Sequence, residues 1–133
     1  MSYLRGTQEG WAQARVAYWP MRAGVRESRR WKGRVCLTGE AILDGKRGED
    51  DVAKATWPLE LRETHRGPKL RFPREGRYAG IPAGALQAAE FEQLFVAGRC
   101  LSCDHEAQAS IRVMGTCFAT GEAAARLAVA GRL

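Results

Sequence analysis

The feature that most limits the fold of this chain is the run Gln93-Leu94-Phe95-Val96-Ala97, which ends abruptly at Gly98. A short apolar run closed by glycine reads as a buried strand of the kind found inside an α/β sheet. From about Thr116 to Ala130 the residues Ala, Leu and Val dominate and Gly131 follows, which predicts an Ala-rich packing helix with a stop. Between the two lies Arg99 to Gly115, a polar and mixed connection that carries His105 and Arg112. The first turn of a helix leaves backbone N–H groups free and bears roughly half a positive charge, so its start receives an anion or a polarised carbonyl. Strand, glycine turn, polar loop and helix start together have the layout of a cofactor site.

The rest of the chain is less regular. Leu4, Trp11, Ala14 and Ala17 are spaced to give one apolar helical face over Tyr3 to Val16, with Gly6 and Gly10 working against it. Pro20 and Gly24 mark an irregular passage. Gly33 to Leu37 has strand character, and Thr38 is placed to cap a short helix over Glu40 to Leu43 that stops at Asp44-Gly45. Val52 to Ala55 reads as a helical turn ending before Trp57-Pro58, and Thr64 to Arg77 as a long loop rich in Pro, Gly and charge. Tyr78 to Leu86 is turn-rich and extended.

Charge is distributed unevenly. The formal net charge is +6, and residues 1–34 account for all of it, with eight Lys or Arg against two Glu. Such a block attracts nucleic acid, an anionic cofactor or an acidic substrate, and charge alone does not choose among them. The densest run is Arg26 to Lys32, whose simplest meaning is a solvated cationic face. The four cysteines are scattered and lack a secretory context, so reduced thiols are expected. Cys100-Leu101-Ser102-Cys103 is a lone CxxC without a second pair, a weak signal for metal, and no metal is expected. No stretch is long and apolar enough for a membrane helix, and the first residues lack the apolar core of a secretion signal, so a cytoplasmic location is expected.

The segment from Leu94 to Ala124 resembles the closing signature of the FAD-dependent oxidoreductase family with a glutathione-reductase-type nucleotide fold. The matching residues are Val96-Ala97-Gly98-Arg99-Cys100, Ser102, His105-Glu106-Ala107, Ser110, Arg112-Val113-Met114, Thr116-Cys117, Ala119, Gly121 and Ala123-Ala124. Upstream, Arg26-Glu27-Ser28-Arg29-Arg30, Gly33 and Leu37-Thr38 resemble a second passage of that family, and Ile81-Pro82 a short turn. Spacing kept over some thirty residues is far more specific than a lone glycine motif.

The resemblance implies a partial flavoprotein fold of α/β or α+β class, with FAD as cofactor and a small organic molecule as substrate. It implies that Gly98 lets the backbone approach the FAD ribityl and pyrophosphate, with Arg99, Cys100, Ser110, Val113, Met114, Gly115 and Thr116 near the cofactor. Arg112 is the implied cation for substrate or flavin, His105 a proton donor, and Arg26 the arginine of its run expected to face the site. Two positions depart from the pattern: Arg99 stands where many flavoproteins of this fold carry an acid, and Gly115 where the family usually has Pro. No glycine-rich strand-turn-helix fingerprint occurs, so the expectation is a fragment that is inactive alone and needs a Rossmann-bearing N-terminal half or partner chain. The expected segments are 1–23, helical or irregular and basic; 24–92, a partial substrate-side region; and 93–133, the FAD-covering strand, loop and helix. Two other readings stand beside this one: a small basic nucleic-acid-binding module, and a non-catalytic remnant that docks on another chain.

Overall fold

The computed structural model describes residues 1–22, 24–64 and 66–131, so the segment ends placed at 23 and 133 lie outside it. Among the described residues five helices and four strands run in the order α1 (Ser2–Thr7), α2 (Gly39–Asp44), β1 (Asp51–Ala55), β2 (Leu59–Leu61), β3 (Lys69–Arg71), β4 (Ala79–Pro82), α3 (Ala83–Leu86), α4 (His105–Ile111) and α5 (Met114–Ala130). A 3-10 turn spans Gly98–Cys100, ahead of α4. The class is α/β or α+β, as the sequence implies, with two small antiparallel sheets.

Strand β1 pairs with β4 in the register Ala53↔Ile81, Lys54↔Gly80 and Ala55↔Ala79, with an irregularity between Asp51 and Ala53. Strand β2 pairs with β3, Leu59 opposite Arg71 and Leu61 opposite Lys69. Leu59 and Leu61 are buried and Glu60 between them is not, the alternation expected of a half-buried strand. The core gathers Ile42 from α2, Ala55 from β1, Ile81 from β4, Leu86 from α3 and Ile111 from α4, and Ala123 of α5 packs against the same cluster.

Helix α2 follows its sequence signals. The Thr38 side chain accepts a hydrogen bond from Ala41 N–H, and Gly45 closes the helix in the left-handed region at φ 65°. Helix α5 begins at Met114, two residues before the expected start, and ends at Gly131.

Several other expectations are corrected. Helix α1 stops at Thr7 instead of reaching Val16, and it buries no residue, so neither packing nor propensity extends it past Gly6 and Gly10. Gly33 to Leu37 makes two single bridges, to Ala88 and Cys103, instead of a strand. Val52 to Ala55 is strand, not helical turn, because pairing with β4 overrides a weak local preference. The loop over 64–77 contains β3. Gln93 to Ala97 forms one bridge, Phe95 with Gln87, and Phe95 to Ala97 are only half-buried. Among the described residues no strand lies beside it to complete a ladder. The connection over 99–115 is largely helical: Asp104 caps α4, its carboxylate accepting from Ala107 N–H at 2.7 Å. The same carboxylate accepts from Gly39 N–H at 3.1 and 3.0 Å, so one side chain fastens the starts of α2 and α4 together. A Cβ on Gly39 would come within 2.3 Å of Glu106 Cβ, so this approach requires glycine. Among the described residues no helix is long and apolar enough to cross a membrane.

Candidate functional site

Gly98 sits at φ 67°, a left-handed conformation that favours glycine, and turns the chain onto the early part of α5. Its N–H donates to Thr120 Oγ at 3.1 Å, and a Cβ there would lie 3.4 Å from Cys117 Sγ. The Thr120 hydroxyl donates to the Thr116 carbonyl at 2.8 Å, which ties the glycine turn to the buried Thr116. The start of α5 is bare: Val113 offers no side-chain cap and the first turn has no acidic residue. Met114 is 77% and Phe118 75% exposed, and a Cβ on Gly115 would meet nothing within 4 Å. An uncapped helix start beside a glycine turn leaves oriented N–H donors and an open apolar face, which suits a flat anionic group.

Arg112 ends α4 one residue before α5 is entered, and its Nη2 donates to the Glu60 carbonyl at 2.8 Å. It borders a cavity of about 260 Å3 together with Arg26, Arg99 and Glu60, and Val113 also lines it. An adjoining hollow of about 250 Å3 shares Arg26, Glu60 and Arg112, and reaches Glu63 and His105 at the other end of α4. Arg26 arrives on an arm, residues 25–30, that forms no helix or strand itself. Three side chains hold this arm: Gln108 Nε2 donates to the Arg26 carbonyl at 2.9 Å, Arg99 donates to the Val25 carbonyl, and His105 Nδ1 meets Glu27 at 2.7 Å.

The electrostatics follow from these contacts. The Glu27 carboxylate hydrogen-bonded to His105 raises the imidazole above its ordinary value against the opposing pull of burial, with Glu63 at 3.6 Å adding to it. Burial pushes Glu27 up, but hydrogen bonds from His105 and Arg30 bring it below the usual carboxylate value. Glu60 is likewise held low, first by its hydrogen bond from Arg62 and more weakly by the charges of Arg112 and Arg26. Burial drives the Cys103 thiol up to about 12, so it is inert as a nucleophile. All four cysteines are free, and among the described residues no group of His, Cys, Asp and Glu is placed to hold a metal.

The structure thus brings Arg99, Arg112 and Val113 around one cavity, and joins Gly98 to Thr116 through Thr120. Met114 and Gly115 lie exposed on the first turn of α5. His105 stands at the opposite end of α4 from Arg112. Ser110 is turned inward, fully buried, its hydroxyl donating to the Trp57 carbonyl at 2.5 Å. The Cys100 carbonyl accepts from Trp31 N–H at 2.8 Å, which pins the end of the arm to the 3-10 turn. The residues that sequence reasoning misses are the ones that hold others: Gln108, Glu27, Glu60 and Asp104. Gln108 is a buried polar residue on an alanine-lined helix face, a signal that appears only once Asp104 is read as a helix cap.

No curated protein and no solved structure matches the chain. The family model described as FAD dependent oxidoreductase matches residues 1–131, nearly all of it. The open start of α5 and the glycine turn against it are compatible with an anionic aromatic cofactor of that kind. The chain belongs to the FAD dependent oxidoreductase family, whose cofactor is FAD.

Proposed function

We propose that this chain is the C-terminal part of a flavoenzyme that oxidises or reduces a small organic molecule, covering the isoalloxazine while a Rossmann-bearing segment or partner chain holds the ADP half. The observation that carries this is the junction of Gly98, the uncapped start of α5 and Arg112 in one region. When bound, FAD supplies a two-electron acceptor or donor. The chain's own part is electrostatic and positional. With FAD bound, the free N–H groups of Met114, Gly115 and Thr116 would stabilise negative charge on the reduced ring, a helix start contributing about 0.3 to 1 kcal/mol and up to ~2 when partly buried. Gly98, with no side chain, would let the cofactor approach the backbone. Arg112 orients the substrate, and His105, whose proton Glu27 holds to a higher pH than in a free imidazole, is the proton source at the far end of the cleft.

The experiment is a reconstitution. The purified chain alone stays colourless with FAD, and mixing or fusing it with a Rossmann-bearing partner yields a yellow complex with flavin absorbance bands. A complex that forms without those bands refutes the proposal.

A further inference from the structure

Three arginines, Arg26, Arg99 and Arg112, line the cavity of about 260 Å3, and among the described residues Glu60 is the one acidic residue there. That carboxylate is already engaged, by Arg62 Nε at 3.0 Å and Nη2 at 2.8 Å. Arg99 and Arg112 each spend one nitrogen on a neutral carbonyl, of Val25 and Glu60, and a guanidinium has five N–H donors in a rigid fork. Among the described residues the Arg26 side chain has no partner. Three cations around one small cavity outnumber the carboxylate of Glu60, so the cavity favours further negative charge.

We infer that this cavity receives the carboxylate of a small organic acid, seated among Arg26, Arg99 and Arg112. The inference rests on the flavoenzyme reading and names the class of its substrate. The planar fork of each arginine matches two carboxylate oxygens side by side. Val25, Ala109 and Val113 supply apolar wall beside the cations, which suits an acid with a carbon body better than a bare inorganic ion. The cluster is also built in advance. Arg99 and Arg112 stand on helical turns, and Arg26 is carried on an arm held by Gln108 and by the Glu27–His105 pair, so little ordering remains when the acid binds.

The test is calorimetric titration of the full chain with butyrate, with butyramide as the uncharged analogue and with inorganic phosphate. Butyrate is expected to saturate and to bind at least about tenfold more tightly than either, and Arg112→Gln or Arg26→Gln to lower its affinity about tenfold. Arg126→Gln, far along α5 where the residue pairs with Glu122, leaves it unchanged. Should Arg112→Gln unfold by loss of its bond to Glu60, Arg26→Gln still decides, since that side chain holds nothing in place. Equal binding of butyrate and butyramide, phosphate binding as tight as butyrate, or full affinity in Arg26→Gln overturns the inference. The reconstituted flavin complex separates the two readings. Flavin bands without butyrate binding remove the substrate class alone, whereas butyrate binding without flavin bands removes the flavoenzyme reading and leaves the acid site standing.

Discussion

Glu27 and His105 meet across 78 positions of sequence, and the pair ties the arm that carries Arg26 to the start of α4. Its strength depends on pH in a way the two shifts define. His105 titrates above its ordinary 6.5, so its contribution is complete below pH 6.5 and is lost as pH rises through the raised value. Glu27 titrates below 4.5, so its contribution is present above pH 4.5 and is lost as pH falls through the lowered value. The clamp is therefore whole between pH 4.5 and 6.5 and weakens on either side. Arg30, Glu63 and Glu106 also stand around the ring and its helix, but Arg30 bonds to Glu27 and Glu106 is taken by Arg71, which leaves Glu27 as the controlling partner. An NMR titration of the His105 ring should give a midpoint above 6.5 that falls back toward it in Glu27→Gln and moves less in Glu63→Gln. A midpoint indifferent to Glu27→Gln would mean that the arm is not held by this pair.

Among the elements, those specified locally are legible in the sequence and those specified by distant pairing are not. Thr38 and Gly45 bound α2 by their own chemistry, and the alanines of α5 carry helix propensity without help. Val52 to Ala55 becomes strand only because Ala79 to Pro82 lies beside it, a contact with no local sign. The opposite case is Gln93 to Ala97, where the apolar run signals a strand but the described chain provides one bridge for it. The site divides in the same way. Gly98, Arg112 and Thr116 are candidates through the resemblance of their segment to the family signature, whereas Gln108 and Glu27 hold the arm through partners 82 and 78 positions away. Gly121 belongs to that signature yet sits exposed in the interior of α5, where a Cβ would meet nothing within 4 Å. Among the described residues nothing requires glycine there. Gly121→Ala should therefore stabilise the chain by about 1 kcal/mol, read from the shift of its urea midpoint. If the Rossmann-bearing partner packs on that face, the same substitution weakens the reconstituted complex; a destabilised isolated chain would show that α5 meets a neighbour there already.

For the molecule as a whole, the distribution of large side chains runs against the usual order. Among the described residues seven of the sixteen buried hydrophobics are alanine, and no Trp, Tyr or Phe is buried. Aromatic side chains contribute most area per residue when buried, so a core of alanine and a few branched aliphatics is thin for this length. The aromatics instead lie on the surface: all four tryptophans are between 45 and 81% exposed, and Phe118 stands beside the open start of α5. Exposed aromatic surface of this extent fits the proposed Rossmann-bearing partner, which would cover it. Tryptophan emission reports on this directly, because an indole in water emits to the red of one in an apolar setting. The isolated chain should emit at a wavelength close to that of its denatured form, with little change on unfolding in guanidinium. Addition of the Rossmann-bearing partner should shift the emission to the blue as the surface is covered. Emission already blue in the isolated chain would show that it covers these rings by itself, by self-association or by packing of the arm, and the partner would then have no apolar face left to meet.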